Sequence, residues 1–453
     1  MFLLGYPGRT ARHKTASFLA YEQNVRLPYI VKLYAWQIAT MEAAGQSDRA
    51  IALKHASHMR TLANVEKRFR GQLKGLQRAA IVEQRMAQEL ELQAFIDSNP
   101  LRKQTYGRVI EEIGEVYQSM TEHAEFELNF ENLKSASRTL SVAFTLYDAA
   151  CERKKEDLDR EEPYMDRNYD QTAKTLRLAV NDLHLSTDKV LLHGMLQRLS
   201  QIADPNKVTP LREIGETSDS DAVCAALFDA TKLHDWSFVE PCISMSPDEL
   251  VQTGDPALKL IANLYPWYID LRKSGKESEG QLEKAYGSLI EVKQQFLQTH
   301  FVPDANSTLR FTHGRIRGYS PEDGILKTPL TTLKGLIDKS TGEEPFSTPS
   351  RVRELFDAKD FGPFVHPVLQ QVPVAMLYDT DTTGGNSGSP VFNARGELVG
   401  VNFDRTFEAT INDFAWNADY SRSIGVDIRY CLWITGKVYG AEHLLAEMGV
   451  RSY

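Results

Sequence analysis

Apolar residues recur at helical spacing over most of the first three hundred positions. The clearest stripe lies between Thr61 and Asn99, where residues three and four positions apart are apolar: Leu62, Val65, Phe69, Leu73, Leu76 and Ala80. Charged and amide side chains occupy the remaining faces. This periodicity predicts one long amphipathic helix, which Asn99-Pro100 would end because a residue before proline disfavours helical geometry.

Similar periodic segments follow, so the region from residue 15 to about 303 is predicted to be all-helical. The predicted helices lie at about 105–130, 131–160, 168–184, 187–202, 219–230 and 279–300. Ser246-Pro-Asp-Glu249 is a capping box with proline at the first helical position, and it predicts one more helix start. These segments share no fixed period, which argues against a repeat solenoid.

The pattern changes to strand alternation near Pro303. Thr308–Tyr319 and Gln371–Tyr378 alternate as strands do, and Leu398-Val-Gly-Val401 follows a turn at Asn393-Ala-Arg-Gly396. The first residues, Met1-Phe-Leu-Leu-Gly5, resemble the end of a buried strand. The predicted fold class is therefore α+β, with a large all-α domain before a β-rich block.

Length and charge restrict the classes of protein further. A chain of 453 residues exceeds one ordinary core, so at least two domains are expected. The formal net charge of −9 argues against general affinity for nucleic acid or anionic membranes. No apolar run is long enough to cross a bilayer.

The cysteines do not indicate a metal site. Cys151, Cys224, Cys242 and Cys431 form no Cys-x-x-Cys pair, and no histidine is placed to complete a zinc site. Cys224 and Cys242 are close enough in sequence to pair in an oxidising compartment. Their spacing leaves the compartment open.

The strongest chemical signal is the string Thr383-Gly-Gly-Asn-Ser387-Gly-Ser-Pro390. Glycines around a serine let the backbone turn tightly and direct consecutive N–H groups to one point, where an oxyanion would form during acyl transfer. A short Gly-x-Ser-Gly match could equally be an ordinary β-turn. The longer string, which runs into a hairpin, is much more specific to a serine nucleophile.

Three separated pieces together resemble the bacterial serine dipeptidyl-peptidases, which have a chymotrypsin-like double β-barrel and an inserted helical domain. They are Gly5-Tyr-Pro-Gly-Arg-Thr10, Leu62–Gly71, and the Ser387 string with Asn402-Phe-Asp-Arg405 behind it. The resemblance implies three regions: residues 1–14 as a remnant of an upstream barrel, 15–303 as the helical domain, and 304–453 as the C-terminal barrel portion. The upstream barrel itself would be missing.

The resemblance implies roles for the residues of the Ser387 string. Ser387 would be the nucleophile, its own N–H and that of Gly385 would form the oxyanion hole, and Gly388 would keep the turn open. Removing one oxyanion-hole donor typically costs on the order of 10²–10³ in turnover.

The resemblance also implies an exopeptidase that holds a peptide by its free N-terminus. Asp404 would supply a carboxylate for the α-ammonium group, and Asn64 of the helical domain would supply an amide oxygen. Phe403 would shape the pocket beside them. From the residues alone, Asn64 is more simply a solvated helix residue.

Arg405 would choose the substrate side chain. Its planar, permanently charged fork matches a carboxylate. In the family, arginine at this position marks the branch that cleaves after Asp or Glu (dipeptidyl-peptidase 11), and glycine marks the branch that prefers apolar residues (dipeptidyl-peptidase 7). The structural alternative is a surface ion pair between Asp404 and Arg405.

The family's catalytic His and Asp lie before the Gly-Tyr-Pro-Gly-Arg-Thr turn, and no histidine here matches that position. His313 and His366 fall in the β-rich block and are interpreted as structural. A serine nucleophile needs a base. The chain is therefore expected to lack peptidase activity when isolated.

Three functions stay open at this point. The leading one is a peptidase acting on peptides with a free N-terminus and Asp or Glu second; the others are its apolar-specific counterpart and a non-catalytic peptide-binding protein. The resemblance further implies a homodimer in the periplasm or at the cell surface of a Gram-negative bacterium. No cofactor or metal is required by a serine triad and oxyanion hole.

Overall fold

The protein is an α+β structure that divides into two compact units. The computed structural model describes residues 1–202, 220–299, 301–343 and 346–450. A sheet unit comprises Met1–Lys14, Gly71–Ile81 and Thr299–Tyr453, and a helical unit comprises Thr15–Arg70 and Val82–Gln298. The predicted domains differ from these units at two places, the boundary near residue 303 and the segment 71–81.

Several helices of the helical unit begin where a polar side chain caps exposed backbone N–H groups. Thr15, Ser137 and Asp255 cap three of them, and Pro256 follows Asp255 at the first helical position. The helices are α1 (Ala16–Tyr21), a π-helical turn (Glu22–Arg26), α2 (Leu27–Gly45), α3 (Arg49–Arg78), α4 (Ile81–Asp97), α5 (Pro100–Tyr106), α6 (Val109–Ala136), α7 (Arg138–Glu152), α8 (Tyr169–Asn181), α9 (Leu185–Gln201), α10 (Ser220–Ala230), α11 (Trp236–Cys242), α12 (Pro247–Gln252) and α13 (Pro256–Leu297).

Two buried apolar clusters hold the helical unit together. The larger joins α2, α6, α7, α9 and α13 around Phe130, Leu140 and Leu258. The smaller joins α4, α6 and α13 around Ile96 and Leu289. Each fully buried side chain of this size contributes roughly 1.5–3 kcal/mol.

The single helix predicted from Thr61 to Asn99 is wrong, because the chain breaks between α3 and α4. Ala80 adopts φ 46°, in the left-handed region that interrupts a right-handed helix. Ala80 is also exposed, although the stripe had placed it on the apolar face. Asn99 caps the next helix, with its side chain accepting from the N–H groups of Leu101 and Arg102.

Other helix boundaries differ from the predicted ones, and at one of them the cause is a contact with a residue distant in the sequence. The break predicted at residue 130 lies at Ser137, where the buried Asp188 carboxylate accepts hydrogen bonds from Ser137 Oγ, Arg138 N and Thr139 N. The last helix begins at Pro256 and continues through Pro266. The capping box at Ser246 is confirmed. Residue 219 and His300, two predicted helix ends, lie outside the described residues.

The sheet unit contains one seven-stranded antiparallel sheet. Its strands are β1 (Phe2–Gly5), β2 (Arg310–His313), β3 (Leu330–Thr332), β4 (Pro373–Tyr378), β5 (Pro390–Phe392), β6 (Leu398–Arg405) and β7 (Ser423–Asp427), in the order β2-β1-β5-β6-β7-β4-β3. Short helices pack around the buried Trp433: α14 (Leu333–Asp338), α15 (Ser350–Asp357), α16 (Ile428–Trp433) and α17 (Glu442–Glu447).

Residues 1–14 form part of this same sheet. The strand predicted at Met1–Gly5 is confirmed as β1, which pairs with β2 on one side and β5 on the other. Its Leu3 is fully buried against Val391 and Met376. Within the segment described above as a remnant of an upstream barrel, Phe2–Gly5 is therefore an inner strand of this sheet.

Two segments of the sheet unit, 9–13 and 302–306, are joined by Asp304. Its carboxylate accepts from Thr10 Oγ1 at 2.7 Å, Arg12 N at 2.7 Å and His13 N at 3.2 Å. Burial would raise the pKa of Asp304, but these hydrogen bonds outweigh it and hold the pKa below its ordinary value.

Segment 71–81 contacts the C-terminal part of the sheet unit through polar side chains. Gln72 Nε2 donates to Asp413 Oδ2 at 2.6 Å, and Arg78 Nη1 donates to Pro321 O at 2.8 Å. These partners are more than two hundred residues away in sequence. Helical periodicity carries no sign of such contacts, which is why the segment had been predicted as part of the helical domain.

None of the four cysteines, which all lie in the described part of the chain, forms a disulfide, and Cys224 and Cys242 are both buried. In the part of the chain that the structure describes, no helix has the length and apolar character of a membrane span.

Candidate active site

The turn that carries Ser387 is held from both sides by backbone and amide hydrogen bonds. Asn386 Oδ1 accepts from Thr383 N at 3.0 Å, and Ser389 N donates to Asn386 O at 3.1 Å. On the other side, Gly388 N donates to Asn402 O of β6 at 2.8 Å. The turn is therefore fixed to the sheet before any substrate arrives.

Two positions in the turn require glycine. Gly385 has φ 99° and Gly388 has φ 84°, in a region where side chains are strained. At Gly385 the space is also closed, because a Cβ atom would lie 2.3 Å from Tyr6 O of the β1 end. The backbone geometry expected of a nucleophile turn is thus present at both predicted glycines.

Ser387 is exposed, and its hydroxyl has a defined orientation. Its Oγ donates to Phe403 O at 3.1 Å. The backbone N–H groups of Gly385 and Ser387 have no acceptor among the described residues. Two unsatisfied, exposed donors in a rigid turn are suited to stabilise a developing oxyanion.

A β-bulge in β6 places the residues that follow. Asn402 pairs with Gly425 of β7, but Asp404 pairs with Ile424, so Phe403 is an extra residue. A bulge of this kind interrupts the alternation of side chains. Phe403 and Asp404 are consequently both exposed, and the carbonyl of the bulged residue is the one that Ser387 contacts.

Two buried residues to which the sequence analysis assigned no role, Asn402 and Tyr378, support this arrangement. Asn402 Nδ2 donates to Asn386 O at 3.1 Å, and Asn402 Oδ1 accepts from Tyr378 Oη at 2.6 Å. Burial raises the pKa of Tyr378, which keeps its hydroxyl protonated as a donor. The only sequence signal for Asn402 was its place immediately before Phe403 in the string that ends at Arg405.

Arg405 lies at the end of β6 in a nearly buried ion pair with Asp413. Its Nη1 donates to Asp413 Oδ1 at 2.7 Å and to Thr383 Oγ1 at 3.3 Å, and its Nη2 donates to Asp413 Oδ2 at 3.1 Å. The suggested surface pair with Asp404 is wrong: Asp404 Oδ1 accepts only the backbone N–H of Arg405. Asp413 was not predicted.

The structure brings together six of the seven predicted site residues: Ser387, Gly385, Gly388, Phe403, Asp404 and Arg405 all belong to the sheet unit. Asn64 is an exposed residue of α3 within the helical unit.

The two histidines of the β-rich block have other positions. His313 ends β2, and His366 Nδ1 accepts the backbone N–H groups of Val368 and Leu369. Across the described ranges no group of three His, Cys, Asp or Glu side chains is arranged to hold a metal ion.

Solved structures with the same fold include dipeptidyl-peptidases. The crystal structure of Porphyromonas endodontalis DPP11 in complex with the dipeptide Arg-Glu superposes with a TM-score of 0.81 at 25% sequence identity. The match covers 99% of this chain and 64% of that one.

Curated relatives point the same way. The Asp/Glu-specific dipeptidyl-peptidase of Shewanella putrefaciens is 31% identical in an alignment of 476 positions that covers 99% of this chain and 64% of the relative. Dipeptidyl-peptidase 7 of Capnocytophaga gingivalis is 26% identical over 464 residues, covering 99% and 62%.

This chain thus spans a little under two thirds of the length of those proteins. A family model described as Peptidase S46 matches residues 1–450. The chain therefore belongs to the peptidase S46 family.

Proposed function

We propose that this chain carries the nucleophile and the side-chain pocket of a serine exopeptidase that releases N-terminal dipeptides ending in Asp or Glu. The observation that carries the proposal is the turn at Ser387. The Ser387 hydroxyl is exposed at that turn, close in sequence to the backbone N–H groups of Gly385 and Ser387, which have no acceptor among the described residues. It donates to the carbonyl of Phe403, two residues before Arg405.

The chemistry would be acyl transfer. Ser387 Oγ attacks the scissile carbonyl carbon, and the N–H groups of Gly385 and Ser387 stabilise the oxyanion. The peptide C–N bond then breaks, leaving the dipeptide as an ester on Ser387 until water hydrolyses it. A base must take the hydroxyl proton and return it to the leaving amine. The family resemblance implies that a His–Asp pair in the upstream barrel does this.

The same resemblance supports a site for the substrate N-terminus. Asp404 is exposed next to the bulge and offers a carboxylate for an α-ammonium group. Asn64 would contribute an amide oxygen from the helical unit, and Phe403, half exposed, would form an apolar wall. Such a site would fix the distance from the N-terminus to the cut bond and so limit the product to a dipeptide.

Arg405 supports cleavage after acidic residues. Relatives of both kinds match the chain, one described as Asp/Glu-specific and one as dipeptidyl-peptidase 7. In this chain the position holds arginine, whose guanidinium favours a carboxylate over an apolar side chain.

The remaining elements of the proposal rest on the family resemblance. We propose that the sheet forms the C-terminal part of a chymotrypsin-like double barrel, and that the protein is a homodimer in the periplasm or at the cell surface. Light scattering of the purified protein would test the dimer. Cell fractionation would test the location, and recovery in the cytoplasm would refute it.

The decisive experiment uses the full-length gene product and a fluorogenic dipeptide substrate ending in Asp. We expect Ser387→Ala to abolish hydrolysis, by a factor on the order of 10⁴–10⁶, without lowering the melting temperature. A fluorophosphonate should label the parent protein and not the variant. A parent protein that binds dipeptides but takes no label would instead be the non-catalytic binding protein.

Substrate choice is tested by Arg405→Gly, with Arg395→Gly as the matched control on the exposed hairpin. We expect the ratio of acidic to apolar cleavage to fall at least about tenfold in the first variant, since a charge-assisted contact is lost. The control should keep the parent ratio. An unchanged ratio in Arg405→Gly would show that the pocket has been assigned to the wrong residue.

A further inference from the structure

The guanidinium of Arg405 is only partly used. An arginine has five N–H donors in a fixed plane. In the structure, the two hydrogens at the end of the fork face the two oxygens of Asp413, and one more reaches Thr383 Oγ1. Nε–H and the outer hydrogen of Nη2 have no acceptor among the described residues. These two point along one edge of the plane, an edge that fits a second carboxylate.

Asp413 is held where it is by more than Arg405. Its Oδ1 also accepts from Thr383 Oγ1, and its Oδ2 accepts from Gln72 Nε2 at 2.6 Å. Gln72 is buried, and its own Oε1 has no partner in the described part of the chain. The amide therefore directs its donor to Asp413 although its acceptor stays unsatisfied, as expected beside an anion.

The pair is nearly buried, with 10% of the Arg405 side chain and 13% of the Asp413 side chain exposed. Among the described residues, Asp413 is the only carboxylate bound to this guanidinium. An acidic substrate side chain would consequently meet an Arg405 that is already paired with one carboxylate, that of Asp413.

We propose that Asp413 is a specificity-determining residue that shares Arg405 with the substrate. Asp413 keeps the end of the guanidinium, and the substrate carboxylate takes the Nε–Nη2 edge. The inference rests on the proposed function, because it needs Arg405 to face the substrate. It adds that Asp413 weakens the preference for acidic residues, since two carboxylates on one cation repel each other.

The test measures binding of two dipeptides that differ only in charge, one ending in Glu and one in Gln, to the full-length gene product carrying Ser387→Ala. We expect the Glu dipeptide to bind more tightly in this parent. In the additional variant Asp413→Asn the Glu-to-Gln affinity ratio should rise at least about tenfold, because the ligand becomes the only anion on Arg405. Glu397→Gln, the same charge change on the exposed hairpin, should leave the ratio unchanged.

A purely structural Asp413 would give a different result. Its loss would weaken both dipeptides alike and leave the ratio at the parent value or below it, and that outcome would overturn the inference. A lower melting temperature is expected in either case. A parent protein that does not distinguish Glu from Gln would refute the role of Arg405 itself. The experiment therefore distinguishes an error in the proposed function from an error in the role assigned to Asp413.

A second measurement does not depend on the stability of Asp413→Asn. In the parent, the ¹⁵Nε–H resonance of Arg405, assigned with Arg405→Lys, should shift on adding the Glu dipeptide and not the Gln dipeptide. A Glu dipeptide that bound without moving this resonance would show that the carboxylate does not use the Nε edge. The sharing of Arg405 would then be wrong.

Discussion

Each unit of the molecule contains an arginine that is at least partly buried and bound to carboxylates, and the two sites differ in how many carboxylates surround the arginine. In the helical unit, Arg272 lies within ion-pair distance of Asp148, Glu152 and Glu161. In the sheet unit, Arg405 has Asp413. The first site places three carboxylates around its arginine, and the second places one.

The difference separates a structural network from a binding site. The carboxylates around Arg272 are shared with other donors: Tyr265 Oη donates to Asp148 at 2.7 Å and Lys276 Nζ donates to Glu161 at 2.7 Å. A further anion at Arg272 would be repelled by three carboxylates. At Arg405 it would meet one carboxylate, Asp413, and could bind the Nε–Nη2 edge, which suits a recognition residue.

The largest effect should follow from removing Asp413, the one carboxylate bound to Arg405 among the described residues. Asp413→Ala leaves Arg405 as an uncompensated, nearly buried charge, and we expect the free energy of unfolding to fall by about 3–5 kcal/mol. Urea unfolding measures it. A loss below about 1 kcal/mol would mean that solvent reaches Arg405 freely and that the pair is not a buried one.

A smaller effect is expected from Asp148→Ala in the helical unit, about 1–3 kcal/mol. Arg272 keeps Glu152 and Glu161 within 3.5 and 3.9 Å, so the main loss is the acceptor of Tyr265. The same urea titration compares the two variants directly. If Asp148→Ala lowered the free energy of unfolding more than Asp413→Ala does, the number of carboxylates around each arginine would not explain the difference between the two sites.

Acid sensitivity should arise in the helical unit. Burial, with Arg138 and His55 nearby, lowers the pKa of His58 to about 4. The unfolded chain binds this proton near pH 6.5, so the contribution of neutral His58 is present above pH 6.5 and is lost as the pH falls towards 4. We expect the loss to be on the order of 1 kcal/mol.

The variant His58→Gln isolates this contribution, because glutamine does not titrate. The stability difference between parent and variant should be constant above pH 7 and should change between pH 6.5 and 4. Melting temperatures across that range measure it, and parallel curves for the two proteins would refute the lowered pKa.

The smallest effect is expected from an exposed ion pair of the helical unit. Arg108 and Glu111 each have 63% of the side chain exposed, and water screens them. We expect Glu111→Ala to change stability by less than about 0.5 kcal/mol. A larger loss of stability, measured by urea unfolding, would show that solvent exposure does not determine how much these ion pairs contribute.

Features of the structure could be predicted from the sequence when residues close together in the chain determine them. The turn at Ser387 was predictable because Gly385, Gly388 and the serine itself encode its backbone geometry within four residues. The stripe of α3 was predictable for the same reason, but its end was not, since Ala80 carries no sign of a left-handed conformation.

The second half of the site depended on contacts between distant residues. Asp413 is ordinary in its sequence context, and Gln72 contacts it across 341 positions. Likewise, Asp188 caps α7 across about fifty residues. A single sequence has no local pattern from which such pairs could be inferred.

The connection between Thr10 and Asp304 has a consequence for chain entropy. The chain between these residues is a loop of 294 positions that returns to the sheet unit at segment 71–81. The entropic cost of closing a loop rises only with the logarithm of its length, so this loop costs about 2 kcal/mol more than one a tenth as long. A sheet unit that closes such a loop can therefore accept a whole folded insert at little thermodynamic cost.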